Sequence, residues 1–415
     1  MQSSTPFPML RTYLSVVHRK LRFVLLNVLN LVSIALAIIG FSAQNLAVEI
    51  ISITGLLVGV VGVAVTTWTW YRAIEDLRVQ DLPLLSLHQV KSLEIPPRLL
   101  DSDYEILLRR GVPSDALLTS RRINRTLFSG TSSELKIRKA NFRITLPTPI
   151  NYVLLRKFTQ QKSIVLFNGK KIRLATEPMF HSGSSLMATE IQPTRYFDTM
   201  VTNDSLFRRV MSRQAQSAVF TGNGFCFPDH MIPACEQSAC ANQVGASTIA
   251  VTSDDYLVIV EQGRRSNVAE SKLASSGSGS ADWKDVGDLT DLQQLVKRFA
   301  ERELVEECGL PSDGVVWLGI IGYGRLLRRG GLPQFFCLAR LKYPRDKIHV
   351  TRSERGLTDD YRFIDIHEGK HSRYDGIQSA LRDLRREDYR VGSSLWWNLE
   401  LLSQIPEDDV ENAFR

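Results

Sequence analysis

The sequence predicts two N-terminal transmembrane α-helices followed by a cytoplasmic α+β region. Three observations lead there. Two uncharged runs, Phe23 to Val48 and Ile50 to Tyr71, each exceed the ~20 residues that a helix needs to cross a bilayer. The rest of the chain carries short apolar runs of strand type and amphipathic runs of helical period. Its composition is globular: 44% hydrophobic and 23% charged residues over 415 positions exclude a disordered or collagen-like chain and leave room for two or three units. A mean hydropathy of −0.09 excludes a chain built mostly of membrane spans. The net charge of +7 suits phosphate-bearing or anionic-membrane partners.

The polar break Ser42-Ala43-Gln44-Asn45 divides the apolar stretch, and Glu49 is its single charge from Phe23 to Tyr71. Water is absent from a bilayer core, so the backbone there must satisfy itself as helix. The reading is a hairpin of spans 22–43 and 48–71. Arg11, Arg19, Lys20 and Arg22 sit in the basic segment 1–21 and at the edge of the first span, and Arg72 and Arg78 follow the second. This bias puts both termini and the soluble region in the cytoplasm of a multi-pass inner-membrane protein. Trp68, Trp70 and Tyr71 fit an aromatic belt at the inner interface. A cleaved signal peptide fits less well, because bulky Phe41 would stand at −3 from a cut after Ala43 and a second apolar run follows at once. Gly55 and Gly59 form a G-x-x-x-G face, and Asn27, Asn30 and Ser33 place polar groups in the first span. These suit either self-association, up to a pore, or packing within one hairpin.

Residues 72–97 read as a helix and connector, broken by Pro96 and Pro97. Residues 98–240 read as an α+β middle region without a legible chemistry. In it Phe142 to Leu146 alternate as a half-buried strand does, and Asn168-Gly169 joins apolar Ser163–Phe167 to Lys170–Leu174 as a hairpin. Cys226, His230, Cys235 and Cys240 cluster without C-x-x-C spacing, which favours ordinary buried thiols over zinc. Five cysteines without a pairing pattern fit a reducing compartment.

Residues 241–415 carry the densest signals. Thr248–Thr252 and Tyr256–Val260 read as strands, followed by a polar loop ending in Ser275 to Ser280 that has the composition of a linker or a phosphate-cradling loop. A helix spans about Asp291 to Cys308, with Leu292, Leu295, Val296, Phe299 and Leu304 at helical spacing and Gly309 as its stop. Val315–Ile321 and Gln334–Leu341 read as a second strand pair, and Ser394–Gln404 as a last amphipathic helix.

The helix ends in Arg302-Glu303-Leu304-Val305-Glu306-Glu307-Cys308-Gly309-Leu310. Glu303, Glu306 and Glu307 stand at i, i+3 and i+4, so their carboxylates share one face. Such crowding calls for a cation, and an oxygen-only set suits Mg²⁺ or Mn²⁺. A metal there bridges phosphate oxygens or activates a water. Arg302 can orient a carboxylate through a bidentate pair. Arg264, Arg265 and Lys272 flank the Ser/Gly segment, and with Ser276 and Gly277 they are the candidate phosphate contacts. Arg325, Arg328 and Arg329 add a second basic group. A solvated basic face is the alternative for each.

This string resembles the second half of the NUDIX box, G-x5-E-x7-R-E-U-x-E-E-x-G-U with U aliphatic. The first half departs from it: Gln294 stands at the glutamate position and Asp288, beside Gly287, at the glycine position. The resemblance implies that 241–415 is a NUDIX-like α/β/α sandwich, that Glu303, Glu306 and Glu307 hold the metal, and that they are catalytic, oriented by Arg302, if hydrolysis is retained. Gln294 offers Arg302 no anionic partner, which favours sensing, while the intact R-E-x-x-E-E of Arg302 to Glu307 favours retained hydrolysis. A further acid from a later loop would be Glu354, Asp359 or Asp360.

A NUDIX-like domain on a membrane hairpin resembles the transmembrane–NUDIX effectors of bacterial CBASS anti-phage systems. That resemblance implies a cyclic oligonucleotide ligand made by a CD-NTase, homo-oligomerisation of the hairpins in the lipid bilayer, and abortive infection, with no DNA or RNA polymer as partner. The alternative is a membrane-anchored, Mg²⁺-dependent hydrolase of nucleoside diphosphate-linked substrates.

Overall fold

The structure is a computed structural model. It describes residues 46–112, 114–160, 167–180, 186–262, 272–350, 358–367, 371–387 and 390–414. In chain order the elements used below begin with α1 (Leu46–Glu75), β1 (Leu77–Asp81), β2 (Tyr104–Leu108), β3 (Ala116–Ser120), α2 (Arg121–Phe128), β4 (Leu135–Ile137) and α3 (Thr148–Gln160). There follow β5 (Lys170–Leu174), β6 (Thr189–Arg195), α4 (Tyr196–Val201), β7 (Arg208–Ser212), β8 (Ala218–Thr221), β9 (Gly245–Val251) and β10 (Tyr256–Gln262). The last are β11 (Leu273–Ser275), β12 (Gly277–Ser280), α5 (Leu292–Cys308), β13 (Val315–Leu326), β14 (Leu332–Leu341), β15 (Thr358–Asp365), α6 (Arg373–Arg386), α7 (Ser393–Leu402) and α8 (Glu407–Ala413).

The chain divides into two units. One takes the chain up to Leu82, Thr145–Asn168 and Arg208–Thr221; the other takes Pro83–Ile144, Gly169–Phe207 and Gly222–Arg415. Residues 98–240 are thus shared between them.

In the first unit, the Thr54–Glu75 stretch of α1 has a mean hydropathy of 1.3 and 22 residues, long and apolar enough to cross a membrane. Leu57, Val60, Val61, Val65 and Trp68 stand exposed along it. It is the one such helix among the described residues; the expected span 22–43 lies outside them. Trp70 is not a free belt residue: it meets Tyr152 of α3 edge-on, with ring centroids 5.4 Å apart. Of the expected helix and connector after the span, α1 runs on to Glu75 and a short helix forms at Leu87–Lys91, but between them stands strand β1, which opens one residue after α1 ends and pairs antiparallel with β7, itself paired with β8. The Asp76 carboxylate accepts the Gln214 N–H at 2.8 Å and its carbonyl accepts that of Arg213 at 2.8 Å, which fixes the junction.

The second unit is built on a nine-stranded mixed sheet in the order β11-β10-β9-β14-β13-β3-β2, with β12 on β9 and β15 on β10. A small sheet β4-β6-β5 accompanies it. Strands β9 and β14 run parallel, with Phe335 opposite Ala246 and Phe336 opposite Ser247. Their alternating side chains feed two cores. Ala246, Ala250, Phe335 and Cys337 pack with Leu295, Val296, Phe299 and Leu304 of α5 on one face. Ile249, Val251, Phe336 and Leu338 pack with Ile377 and Leu381 of α6 and Leu395, Trp397 and Leu399 of α7 on the other. A helix layer therefore covers each face, which is why these strands read as near-continuous apolar runs.

Two sequence expectations change here. Phe142–Leu146 keeps alternating exposure but forms no ladder; Phe142 N–H reaches Pro193 O at 2.8 Å, and the ring lies under the Arg173 guanidinium. Of the expected hairpin, β5 is present and pairs with β6, while residues 161–166 lie outside the described residues.

Candidate functional site

Helix α5 is set by its own ends. The Asp291 carboxylate caps it, accepting the Gln294 N–H at 2.9 Å and the Ser133 N–H at 3.0 Å, so the helix start is tied to the segment before β4. Gly309 closes it at φ 65°, a left-handed conformation that suits a residue without Cβ.

The Ser/Gly segment is not a loop. It is a strand bent at Ser276. Strands β9 and β10 diverge after the pairs Leu257–Val251 and Val258–Ala250, and the bent strand enters the fork, β11 pairing with β10 and β12 with β9. The Ser276 hydroxyl sits in the crotch, accepting the Ala250 N–H at 2.7 Å and donating to Val258 O at 2.6 Å. Ser276 is fully buried and makes no ligand surface. Gly277 is equally structural: a Cβ there would stand 2.7 Å from Leu304 Cα. Both expected phosphate contacts are corrected to packing devices that let α5 approach the sheet.

That close approach places the acidic face. The Glu303 carboxyl lies against Gly279, where any side chain would collide with it. The Ser278 N–H donates to Glu307 Oε2 at 3.1 Å. Glu306 instead points outward, 52% exposed. Of the three carboxylates expected on one face, only Glu303 and Glu307 border the cavity described below. Among the described residues no three His, Cys, Asp or Glu side chains converge on one point. This also leaves Cys226, His230, Cys235 and Cys240 without a zinc arrangement; the thiols are buried, with Cys226 and Cys240 sulfurs 3.7 Å apart.

Arg302 has the anionic partner that Gln294 could not supply. Its Nε and Nη2 donate to the two oxygens of Asp285 at 3.0 and 2.9 Å. Asp285 closes the 3₁₀ turn Trp283–Asp285, and its carboxylate also accepts the Asp282 N–H at 2.8 Å. Gln294 is eight residues from Arg302, about 12 Å along the helix axis, and exposed. Arg302 Nη1 reaches Glu303 at 2.9 Å and Glu306 at 3.2 Å, so one guanidinium orders three carboxylates. Burial works against its charge, but Asp285 and Glu303 outweigh that and hold its pKa above the ordinary value. Burial raises the Glu303 pKa, aided by Glu306 and opposed by Arg302 and Lys171.

A cavity of about 590 Å³ opens at the sheet end where β9 and β14 begin and β12 finishes. Ligand pockets span roughly 300–1,000 Å³. Glu303, Glu307 and backbone of Ser278–Ser280 form one part of its wall, with Lys171, Lys272, Arg328 and Arg329 the basic groups. Lys171 is paired with Asp282 at 2.6 Å and Arg329 with Asp204 at 2.9 Å. Of the expected phosphate contacts, Lys272 lines the cavity and Arg264 and Arg265 lie outside the described residues. Arg325 is buried away from it, paired with Glu177 at 3.4 Å. Among the later acids, Glu354 lies outside the described residues, and Asp359 and Asp360 fall on β15.

The donor chemistry fits Mg²⁺ or Mn²⁺. Such ions are held by one or two carboxylates plus substrate phosphates rather than by an all-protein cage, and Glu303 and Glu307 face a cavity with room for those phosphates.

No family model matches the chain, and no curated protein matches it. Among solved structures, the chain is similar to one described as "Crystal structure of Tm1382, a putative Nudix hydrolase", with 16% identity over 39% of this chain and 72% of that one and a TM-score of 0.26.

Proposed function

We propose that this protein is a membrane-anchored nucleotide-binding protein whose cavity takes a phosphate-bearing nucleotide. What carries the reading is one juxtaposition: Glu303 and Glu307, ordered through Arg302 and β12, face a cavity that also presents Lys272 and Arg328. Glu303 and Glu307 would hold a divalent metal, which when bound neutralises phosphate oxygens and can activate a water. Asp285 fixes Arg302, Arg302 fixes the Glu303 and Glu306 carboxylates, and the Ser278 N–H fixes Glu307. The basic groups hold the remaining phosphate charge.

The finer reading is a ligand-gated membrane effector. A cyclic oligonucleotide made by a CD-NTase binds the cavity, and its differential affinity for resting and assembled states drives self-association of the membrane segments. The resulting breach of the inner membrane stops phage growth by abortive infection. The resemblance to CBASS effectors and the apolar Thr54–Glu75 helix support it.

A second reading is favoured by one observation. Because Asp285 replaces the missing partner of Arg302, the departure at Gln294 no longer argues against hydrolysis. A membrane-anchored hydrolase of nucleoside diphosphate-linked substrates would use Glu303 and Glu307 as its metal ligands, with Arg302 oriented by Asp285. Liposome leakage by the full-length protein, run beside a hydrolysis assay over a panel of cyclic oligonucleotides, separates the two. Leakage with intact ligand supports the effector; cleavage without leakage supports the hydrolase.

A further inference from the structure

The cavity has a second charged wall that the carboxylates do not explain. Lys272 and Arg328 both border it, and neither has a carboxylate or hydrogen-bond partner among the described residues. They crowd each other: burial lowers the Lys272 pKa, and Arg328 and Arg109 lower it further, against the pull of Asp115. Two like charges held at one cavity wall without an anion are a cost that a bound anion removes.

The same wall holds the start of α7. Its N-cap is Gly392, which has no side chain to take up the first-turn N–H groups, and Ser393 and Ser394 line the cavity with it. A ten-residue helix directs its partial positive charge there. The nearby Asp115 carboxylate does not fill this role. It is paired with Arg109 at 3.0 Å and accepts the Ser393 hydroxyl at 2.5 Å and the Trp397 indole N–H at 3.0 Å.

An independent observation points to a ligand. Gln334 lines the cavity and is 5% exposed, and its amide has no hydrogen-bond partner among the described residues. It opposes Gly245 on the neighbouring strand, and the amide occupies the space that a side chain at 245 would need. A buried amide left open toward a cavity is a costly arrangement unless a ligand completes it.

We propose that the wall formed by Lys272, Arg328 and the N-terminus of α7, completed by Gln334, is a metal-independent phosphate subsite. The cavity then takes a nucleotide with two separated phosphate groups. One goes to the metal at Glu303 and Glu307, the other to this wall. The inference rests on the nucleotide-binding reading above and assigns the half of the ligand that no metal holds.

Calorimetry of the full-length protein in detergent, with inorganic pyrophosphate as probe, tests it. The titration is run once in excess EDTA and once in Mg²⁺. In EDTA the wild type binds, Lys272→Ala/Arg328→Ala binds about tenfold or more weakly, and Glu303→Gln/Glu307→Gln binds as well as the wild type or better. Arg328→Lys, which keeps the charge, stays within about threefold of the wild type. Absence of wild-type binding in EDTA, or a folded Lys272→Ala/Arg328→Ala protein that binds like the wild type, overturns the subsite. The Mg²⁺ arm reads the other wall: if Glu303→Gln/Glu307→Gln leaves Mg²⁺-enhanced binding intact while the EDTA result holds, the metal assignment fails and the subsite stands.

Discussion

Asp285 and Arg302 meet through two parallel N–H···O bonds of 3.0 and 2.9 Å, across seventeen residues of chain. Asp285 is 5% exposed in its side chain and Arg302 19%, so the pair is largely shielded from solvent. Charge-assisted bidentate pairs of this kind are stronger than neutral hydrogen bonds. Asp285→Asn is expected to cost about 1.5–3 kcal/mol of stability and to weaken Mg²⁺-dependent nucleotide binding. Gln294→Glu, which restores the NUDIX box on paper, is expected to change neither by more than about 0.5 kcal/mol. Thermal melts and calorimetry on both variants check this; a binding gain from Gln294→Glu would refute the assignment of Asp285.

The Glu303 carboxyl supplies a pH signature. Its folded pKa is raised by burial, so its stabilising contribution is complete below the ordinary value of 4.5 and is lost as pH rises through the raised one. At neutral pH the wild type therefore carries a cost that Glu303→Gln removes. In EDTA at pH 7 the variant should melt above the wild type, with the difference vanishing near pH 4. Mg²⁺ should raise the wild-type melting temperature and not the variant's, by about 2.7 kcal/mol equivalent at a hundred times its Kd. The wild-type Mg²⁺ effect should also fade as pH drops toward the Glu303 pKa.

Ser276→Ala separates packing from binding. The change leaves the Ala250 N–H and Val258 O unpaired in the sheet fork. A loss of about 1–3 kcal/mol is expected, with ligand affinity unchanged in the folded fraction. A normal melt together with weakened binding would return Ser276 to the ligand site.

The two glycines of β12 should respond differently. Gly277→Ala sets a methyl 2.7 Å from the Leu304 backbone, so α5 must move, at a cost of about 1–3 kcal/mol. Gly279→Ala meets the tip of the Glu303 side chain, which can swing away. That variant should fold nearly as well as the wild type and lose Mg²⁺-dependent stabilisation, as read by melts with and without the metal.

Helix α5 was legible in the sequence because its signals are local: Asp291 at the start, a 3.6-residue apolar repeat, and Gly309 at the stop. Strands β9, β10, β13 and β14 were legible as apolar runs because both their faces are covered. Asp285 was not, since nothing in Trp283-Lys284-Asp285 distinguishes a capping aspartate from one that also grips a helix seventeen residues on. Its one local trace is the D-x-x-D spacing of Asp282 and Asp285. Ser276 and Gly277 were misread because serine and glycine signal flexibility by composition, whereas here small size is what the sheet fork and the helix demand. Gln334 carried no signal at all, because an open amide is a property of the cavity and not of the strand that bears it.

The join between α1 and β1 has a mechanical meaning. One residue separates them, and that residue is bolted on both sides by Gln214 and Arg213. A flexible tether would absorb the tilting and turning of an apolar helix. This joint is one residue long and hydrogen-bonded at both its carboxylate and its carbonyl, so the direction of α1 is tied to the ladder of β1 and β7. The tie runs in both directions: a strand register held firm in the ladder also holds the angle at which the helix leaves it.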